Sequence, residues 1–198
     1  MKIYDISQEL FTCTVFPGDP APEKELVMRI DKGDLCNLTK LSLCAHNGTH
    51  IDAPNHFIND GKTVDRIDLN KVIGLAYVVT CDSDITRADA ERIYERARRK
   101  NPDSANRILV RGKGTLTSEA AEYLTFVGIG LVGTEYQSVG PQGAPKEVHT
   151  ILLSHEVVLL EGIRLSMIPE GVYLLNAAPI NLGGCDGAPC RAVLIDFE

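Results

Sequence analysis

Residues 46 to 56 read HNGTHIDAPNH. The chain has five histidines, and three of them, His46, His50 and His56, fall in this run beside Asp52. Imidazole nitrogens and carboxylate oxygens hold a divalent ion at about 2.0–2.2 Å, so such donors must converge. At ~3.3 Å per residue, an extended chain would spread His46 and Asp52 over about 20 Å. The chain must bend between them, and Asn47-Gly48 supplies residues that accept positive φ. Beyond the bend, His50 and Asp52 are two apart and share one side of a short extended piece. A hard oxygen among borderline nitrogens suits zinc or manganese better than calcium. No cysteine lies inside the cluster, whereas closed structural zinc sites are usually cysteine-rich. Thr49 is placed to orient a ligand through a hydrogen bond.

One segment rarely completes an active site, so a second should contribute. HTILLSHEVVLLEGI, from residue 149 to 163, offers His149, His155, Glu156 and Glu161. Glu161 ends an apolar run, where a carboxylate is costly unless paired or metal-bound, which favours it over Glu156. His149 and His155 are six apart and point in different directions on a helix. Spacing alone does not choose between them. Other fragments fade: RGKGT lacks the GxxxxGK[ST] frame and reads as a turn, and no GxSxG elbow supports a serine nucleophile.

The elements that must carry these residues are legible as alternation and punctuation. Lys2 to Ser7, Glu25 to Ile30 and Leu38 to Cys44 read as strands, with a turn at FPGDP (residues 16 to 20). Gly74 to Cys81 is an apolar run of buried-strand length. Thr86-x-x-Asp89 is a short version of a capping box and opens a helix to about Lys100, which Asn101-Pro102 stops. Strands are predicted at 107–111, 130–134, 157–160, 172–175 and 192–197, and helices at 117–124 and 146–154. Strands, then two strand–helix units, then strands predict a mixed α/β fold with one core, a single domain over 1–198. Asp186 and Arg191 are read as ties for the C-terminal segment, with a pocket role for Asp186 as the alternative.

Composition narrows the class. With 198 residues, 44% of them hydrophobic, the chain can bury one sizeable core. A net charge of −7 argues against nucleic acid as a partner. The basic run RARRK reads as a solvated helix end. No stretch approaches the ~18 apolar residues of a membrane span. No apolar leader is visible at the start, and the six cysteines form no CxxC pair. A cytoplasmic protein with reduced thiols is expected, with little case for a Cys185–Cys190 bridge.

HNGTHIDAPNH resembles the HxGTHxDxPxH signature of the cyclase family of metal-dependent hydrolases, which includes bacterial kynurenine formamidase and isatin hydrolase. FPGDP resembles that family's aromatic-PGD segment, HTILLSHEVVLLEGI its second metal segment, and GGCDGAPCRAVL (183–194) its closing stretch. The resemblance spans nearly the whole chain. It implies an α/β swivelling β/β/α fold with a mixed β core. It implies His46, His50, Asp52, His149 and Glu161 as ligands of one or two divalent ions, zinc or alternatively manganese. It implies His56 as acid/base, Phe16 as a substrate-pocket residue and a homodimer or homotetramer. Two positions depart from it. Phe16 stands where kynurenine formamidases usually carry Trp, and residues 133–141 read GTEYQSVGP rather than close to GxDTPSVDP. The expected activity is hydrolysis of a small amide such as N-formylkynurenine or a related arylformamide. A metal-activated water would attack the carbonyl while His56 moves the proton. The alternatives are hydrolysis of a cyclic amide of the isatin type, or metal and small-molecule binding without turnover.

Overall fold

The computed structural model describes residues 1–141 and 143–197. In chain order its strands are β1 (Lys2–Asp5), β2 (Glu23–Met28), β3 (Leu38–Ser42), β4 (His50–Asp52), β5 (Ile73–Thr80), β6 (Arg107–Arg111), β7 (Leu131–Thr134), β8 (Val158–Glu161), β9 (Gly171–Asn176), β10 (Gly187–Pro189) and β11 (Val193–Asp196). Its helices are α1 (Leu69–Val72), α2 (Arg87–Lys100), α3 (Ser118–Phe126) and α4 (Lys146–Ser154). A nine-stranded mixed sheet runs in the order β1-β11-β9-β5-β6-β7-β8-β4-β10. Its centre, β5 to β8, is parallel, and the flanking pairs are antiparallel. The mixed α/β expectation therefore holds. The parallel centre contains three crossovers rather than two strand–helix units, because α4 also joins parallel neighbours.

Alternation along the central strands builds two cores. Tyr77, Val79, Ile108, Val110, Val132 and Leu159 pack toward the helices, with Ala90, Ile93 and Ala97 of α2, Ala120, Ala121 and Leu124 of α3, and Leu152 and Leu153 of α4. Their sequence neighbours Ala76, Val78, Leu109, Leu131 and Leu160 face the other way. That second core also takes Ile51 of β4, Leu175 of β9, Ala188 of β10 and Leu194 of β11. Strands from the two ends of the sheet order share one cluster only if the sheet curls on itself. The curl brings β4 and β10 over the same core as β11.

α2 begins where its sequence says it should. Thr86 Oγ1 accepts from the Asp89 backbone N–H, and Asp89 Oδ2 accepts from the Thr86 backbone N–H at 3.1 Å. Ala90, Ile93 and Ala97 make the buried stripe, and exposed Arg98, Arg99 and Lys100 sit at the negative end of the helix dipole. The basic run is thus a solvated helix end. β2 and β3 stand where the sequence predicts strands. They form a separate antiparallel hairpin outside the main sheet, with Leu26, Val27, Leu38 and Leu41 all exposed.

All six cysteines are free, so Cys185 and Cys190 are not bridged. No helix among the described residues is long and apolar enough to cross a membrane. Arg191 ties the ends of the chain together through Asp5, with Nε–Oδ2 at 2.9 Å.

Removing the α2 cap isolates one local contribution. Thr86→Ala should lower stability by about 1 kcal/mol in chemical denaturation, with Thr86→Ser close to wild type. Equal midpoints for Ala and wild type would mean that the cap contributes nothing in solution.

Candidate active site

The bend that the sequence requires is present. Gly48 has φ +68, and Asn47 beside it is fully buried. Asn47 Oδ1 accepts from the Cys44 N–H at 2.8 Å, and Asn47 Nδ2 donates to Pro20 O at 3.2 Å. One carboxamide therefore closes the histidine loop and fastens the FPGDP turn to it. β4 follows directly, with Ile51 packed into the second core and His50 and Asp52 on the opposite side.

β4 lies between β8 and β10, antiparallel to both. Its register sets His50 opposite Glu161 of β8 and Asp52 opposite Gly187 of β10. Gly162 makes this approach possible. It has φ +69, and a Cβ there would stand 2.5 Å from Gly48 O. Thr49, expected to orient a ligand, touches none. It donates to Gly162 O at 2.7 Å and accepts from the Gln8 N–H at 2.9 Å, so it pins the two chain segments instead.

The side chains converge on Asp52, which is 1% exposed. Its Oδ1 lies 2.8 Å from His46 Nδ1 and 3.3 Å from His50 Nε2. Its Oδ2 lies 3.7 Å from His149 Nε2 and has no hydrogen-bond partner. Glu161 Oε1 is 3.2 Å from His149 Nε2, and Glu161 Oε2 is 3.7 Å from His50 Nε2. The choice left open between two histidines is thereby made by geometry. His149, in the first turns of α4, points into the cluster, whereas exposed His155 bonds to Ser154 and Ile151 O. Glu156 is also remote and pairs with Lys62 at 2.7 Å.

These donors fit a divalent ion. His46, His50 and Asp52 form one group of mutually close donor atoms, and Asp52, His149 and Glu161 form a second, with separations within 4.8 Å. Asp52 belongs to both. Two of the imidazoles are already oriented: His50 Nδ1 donates to Gly48 O at 3.0 Å and His149 Nδ1 to Pro145 O at 2.9 Å, so each would meet a ligand through Nε2. An unpartnered carboxylate oxygen buried among imidazoles is costly by itself, and a cation is the group that this donor set lacks.

The sequence offers two readings of Asp186, fold tie and pocket residue, and the structure places it on the cavity wall. Its carboxylate accepts from His46 Nε2 at 2.8 Å and His56 Nδ1 at 3.3 Å. Burial would lower the His46 pKa, but hydrogen bonds and charge from Asp52 and Asp186 raise it to about 9. His50 and His149 are likewise raised by their carboxylate neighbours against the opposing effect of burial. Asp52 stays well below the usual carboxylate range: burial opposes this, but the hydrogen bonds of His46 and His50 prevail. His56 goes the other way. Burial, helped by the charge of His46, outweighs Asp52 and Asp186 and lowers its pKa, which favours the neutral ring. It stacks on His46 with centroids 3.9 Å apart.

The site opens into a cavity of about 490 Å³. Phe16 and Asp19 of the turn, Phe57, Gln137, Ser138 and Pro145 line it together with the histidines, Glu161 and Asp186. Phe57 packs against His149 at 4.7 Å. Phe16 is on the wall, as expected for a pocket residue.

The chain resembles known proteins over its whole length. A family model described as "Putative cyclase" matches residues 4–141. A kynurenine formamidase of Erythrobacter litoralis is 32% identical over 98% of this chain and 93% of its own length. One of Bacillus anthracis is also 32% identical, over 98% and 97%. A solved structure described as a potential metal-dependent hydrolase with cyclase activity superposes with a TM-score of 0.83 at 27% identity, covering 100% of this chain and 98% of that one. Isatin hydrolase A of Labrenzia aggregata, bound to benzyl benzoate, superposes with a TM-score of 0.83 at 23% identity, covering 100% and 94%. At that identity the likeness is one of fold.

The contact between His46 and Asp186 is open to a direct check. In chelator-treated protein, Asp186→Asn should shift the His46 titration, followed by its ring resonances, to lower pH. An unchanged His46 pKa would mean that the contact is not formed in solution.

Proposed function

The chain belongs to the cyclase family, and on that premise we propose that it is a metal-dependent hydrolase of a small amide, acting on a C–N bond that is not a peptide bond. The observation that carries this is the pair of donor groups sharing Asp52, with a neutral imidazole, His56, at their edge. The substrate class nearest to the named relatives is N-formylkynurenine or a related arylformamide. The isatin-type lactam is the second reading, favoured by the fold likeness to isatin hydrolase.

In this reading His46, His50 and Asp52 would hold one ion, and Asp52, His149 and Glu161 a second. Zinc is the ion that best suits these donors, with manganese as the alternative. When bound, the ion supplies Lewis acidity, lowering the pKa of a water toward ~7 and polarising the carbonyl. The chain's own residues do the rest. His56 is neutral, so it can accept the proton of the attacking water and return it to the leaving nitrogen. Its Nδ1 faces Asp186, which fixes the ring and stabilises the imidazolium that forms between the two steps. Asp186 also accepts from His46 Nε2, which leaves His46 Nδ1 for a ligand role. Phe16 and Phe57 offer apolar walls to an aromatic substrate and exclude water around it.

The whole chain would work as one domain in a reducing cytoplasm, in keeping with six free thiols. It would assemble as a homodimer or homotetramer. The β2–β3 hairpin supports this: Leu26, Leu38 and Leu41 are exposed and Leu35 at its tip is 94% exposed, an apolar surface that self-association would cover.

Four variants test the site. His50→Ala and His149→Ala should lose zinc or manganese by elemental analysis, and His155→Ala should keep it. His56→Ala should keep the metal and lose turnover of N-formylkynurenine by about 100-fold or more. Loss of metal in step with turnover would make His56 a ligand and overturn its role. The hairpin has its own test. Light scattering should give a multiple of 21.6 kDa for the wild type and a smaller species for the Leu26→Lys, Leu41→Lys double variant. A monomeric wild type would overturn the assembly reading.

A further inference from the structure

The segment after β7 wraps over Glu161, and all but one of its polar side chains near the cavity are occupied. The Val139 backbone N–H donates to Glu161 Oε1 at 2.9 Å, which fixes the segment relative to the site. Ser138 Oγ donates to Gly140 O and accepts from the Gly140 N–H, both at 3.2 Å. Gln137 is the exception. It lines the cavity, yet its Oε1 and Nε2 are both shielded from solvent and both lack a hydrogen-bond partner. A carboxamide carries two donors and a two-lone-pair acceptor, and leaving both ends unpaired is destabilising.

The other lining groups sharpen what could. The ionisable ones are the histidines, the Cys44 thiol and the carboxylates Asp19, Glu161 and Asp186, and among the described residues no Lys or Arg lines the cavity. Gln137 is therefore the lining side chain that offers a neutral donor next to a neutral acceptor. A group matching both at once has an N–H and a C=O on the same edge. Lactams, imides, cyclic ureides and primary amides have that edge. An N-alkylated lactam lacks the donor, and a trans secondary amide turns its N–H and C=O to opposite sides.

We propose that Gln137 is a specificity-determining residue that reads a cis-amide edge of the substrate through paired hydrogen bonds, its flexible side chain turning into the cavity when that edge arrives. This rests on the reading of the site as an amide hydrolase, and within it favours the lactam over the arylformamide, whose acyclic amide presents such an edge only in its cis form. Gln137 is two residues before the backbone N–H that holds Glu161, so the recognised edge is tied in position to the reacting centre.

Calorimetric titration with a lactam probe tests the proposal without turnover. Wild-type protein should bind oxindole about tenfold more tightly than N-methyloxindole. Gln137→Met, close in length and unable to pair, should remove that preference while melting no lower than the wild type, since it removes an unpaired buried carboxamide. Gln137→Asn should retain part of it. Equal binding of both probes to the wild type, no binding of oxindole, or an unchanged preference in a folded Gln137→Met would each overturn the proposal. Turnover of N-formylkynurenine and isatin is scored separately. Probe selectivity that depends on Gln137, without turnover of any amide, would sink the hydrolase reading and uphold the edge reading. Turnover without probe selectivity would do the reverse.

Discussion

A carboxylate removed from water must be compensated, and the position of Asp52 governs much of this molecule. Its side chain is buried, one oxygen is shared by two imidazoles, and the other is unpaired. Everything that brings partners to it is a matter of strand register. β4 is three residues long, with His50 and Asp52 on one side and fully buried Ile51 on the other. A slip of one residue would expel Ile51 from its core, at a cost of about 2–3 kcal/mol, and drive two polar side chains into it. The hydrophobic pattern and the site geometry thus enforce the same register, and neither has an alternative that satisfies the other.

The curl of the sheet is the second half of the arrangement. A flat sheet would hold β4 and β10 away from the apolar cluster, leaving Ile51, Ala188 and the donor cluster in solvent. Wrapped over the same apolar cluster as β9 and β11, they instead form a wall behind the histidines. The helices on the opposite face take no part in the chemistry except α4. That helix delivers His149 and receives the His149 Nδ1 bond on Pro145 O, at its own first turn.

What the sequence discloses follows from how local each feature is. The bend at Asn47-Gly48, the shared side of His50 and Asp52, the cap at Thr86 and the apolar strands are short-range, and the structure has each of them. The choice between His149 and His155 is not local. It depends on how α4 is rotated against β8, and only the resemblance to a known family pointed to His149 beforehand. Asp186 escapes because its partners lie 140 and 130 residues away and meet it only when β10 pairs with β4. Thr49 misleads because its hydroxyl is beside the ligands in sequence but faces Gly162 in space. The hairpin strands are where the sequence puts them, but nothing within their own residues says what covers the exposed leucines.

The wide sequence separation of the donors also bears on the order in which the protein can be completed during synthesis. The first donor group is translated early, but β4 has no neighbours until β8 and then β10 have left the ribosome, more than a hundred residues later. The parallel layers from β5 to β7 can close before that, since each crossover joins strands adjacent in the sheet. The nascent chain therefore carries a bare strand of histidines and an acid through most of its elongation, and the centre of the enzyme is among the last parts to exist.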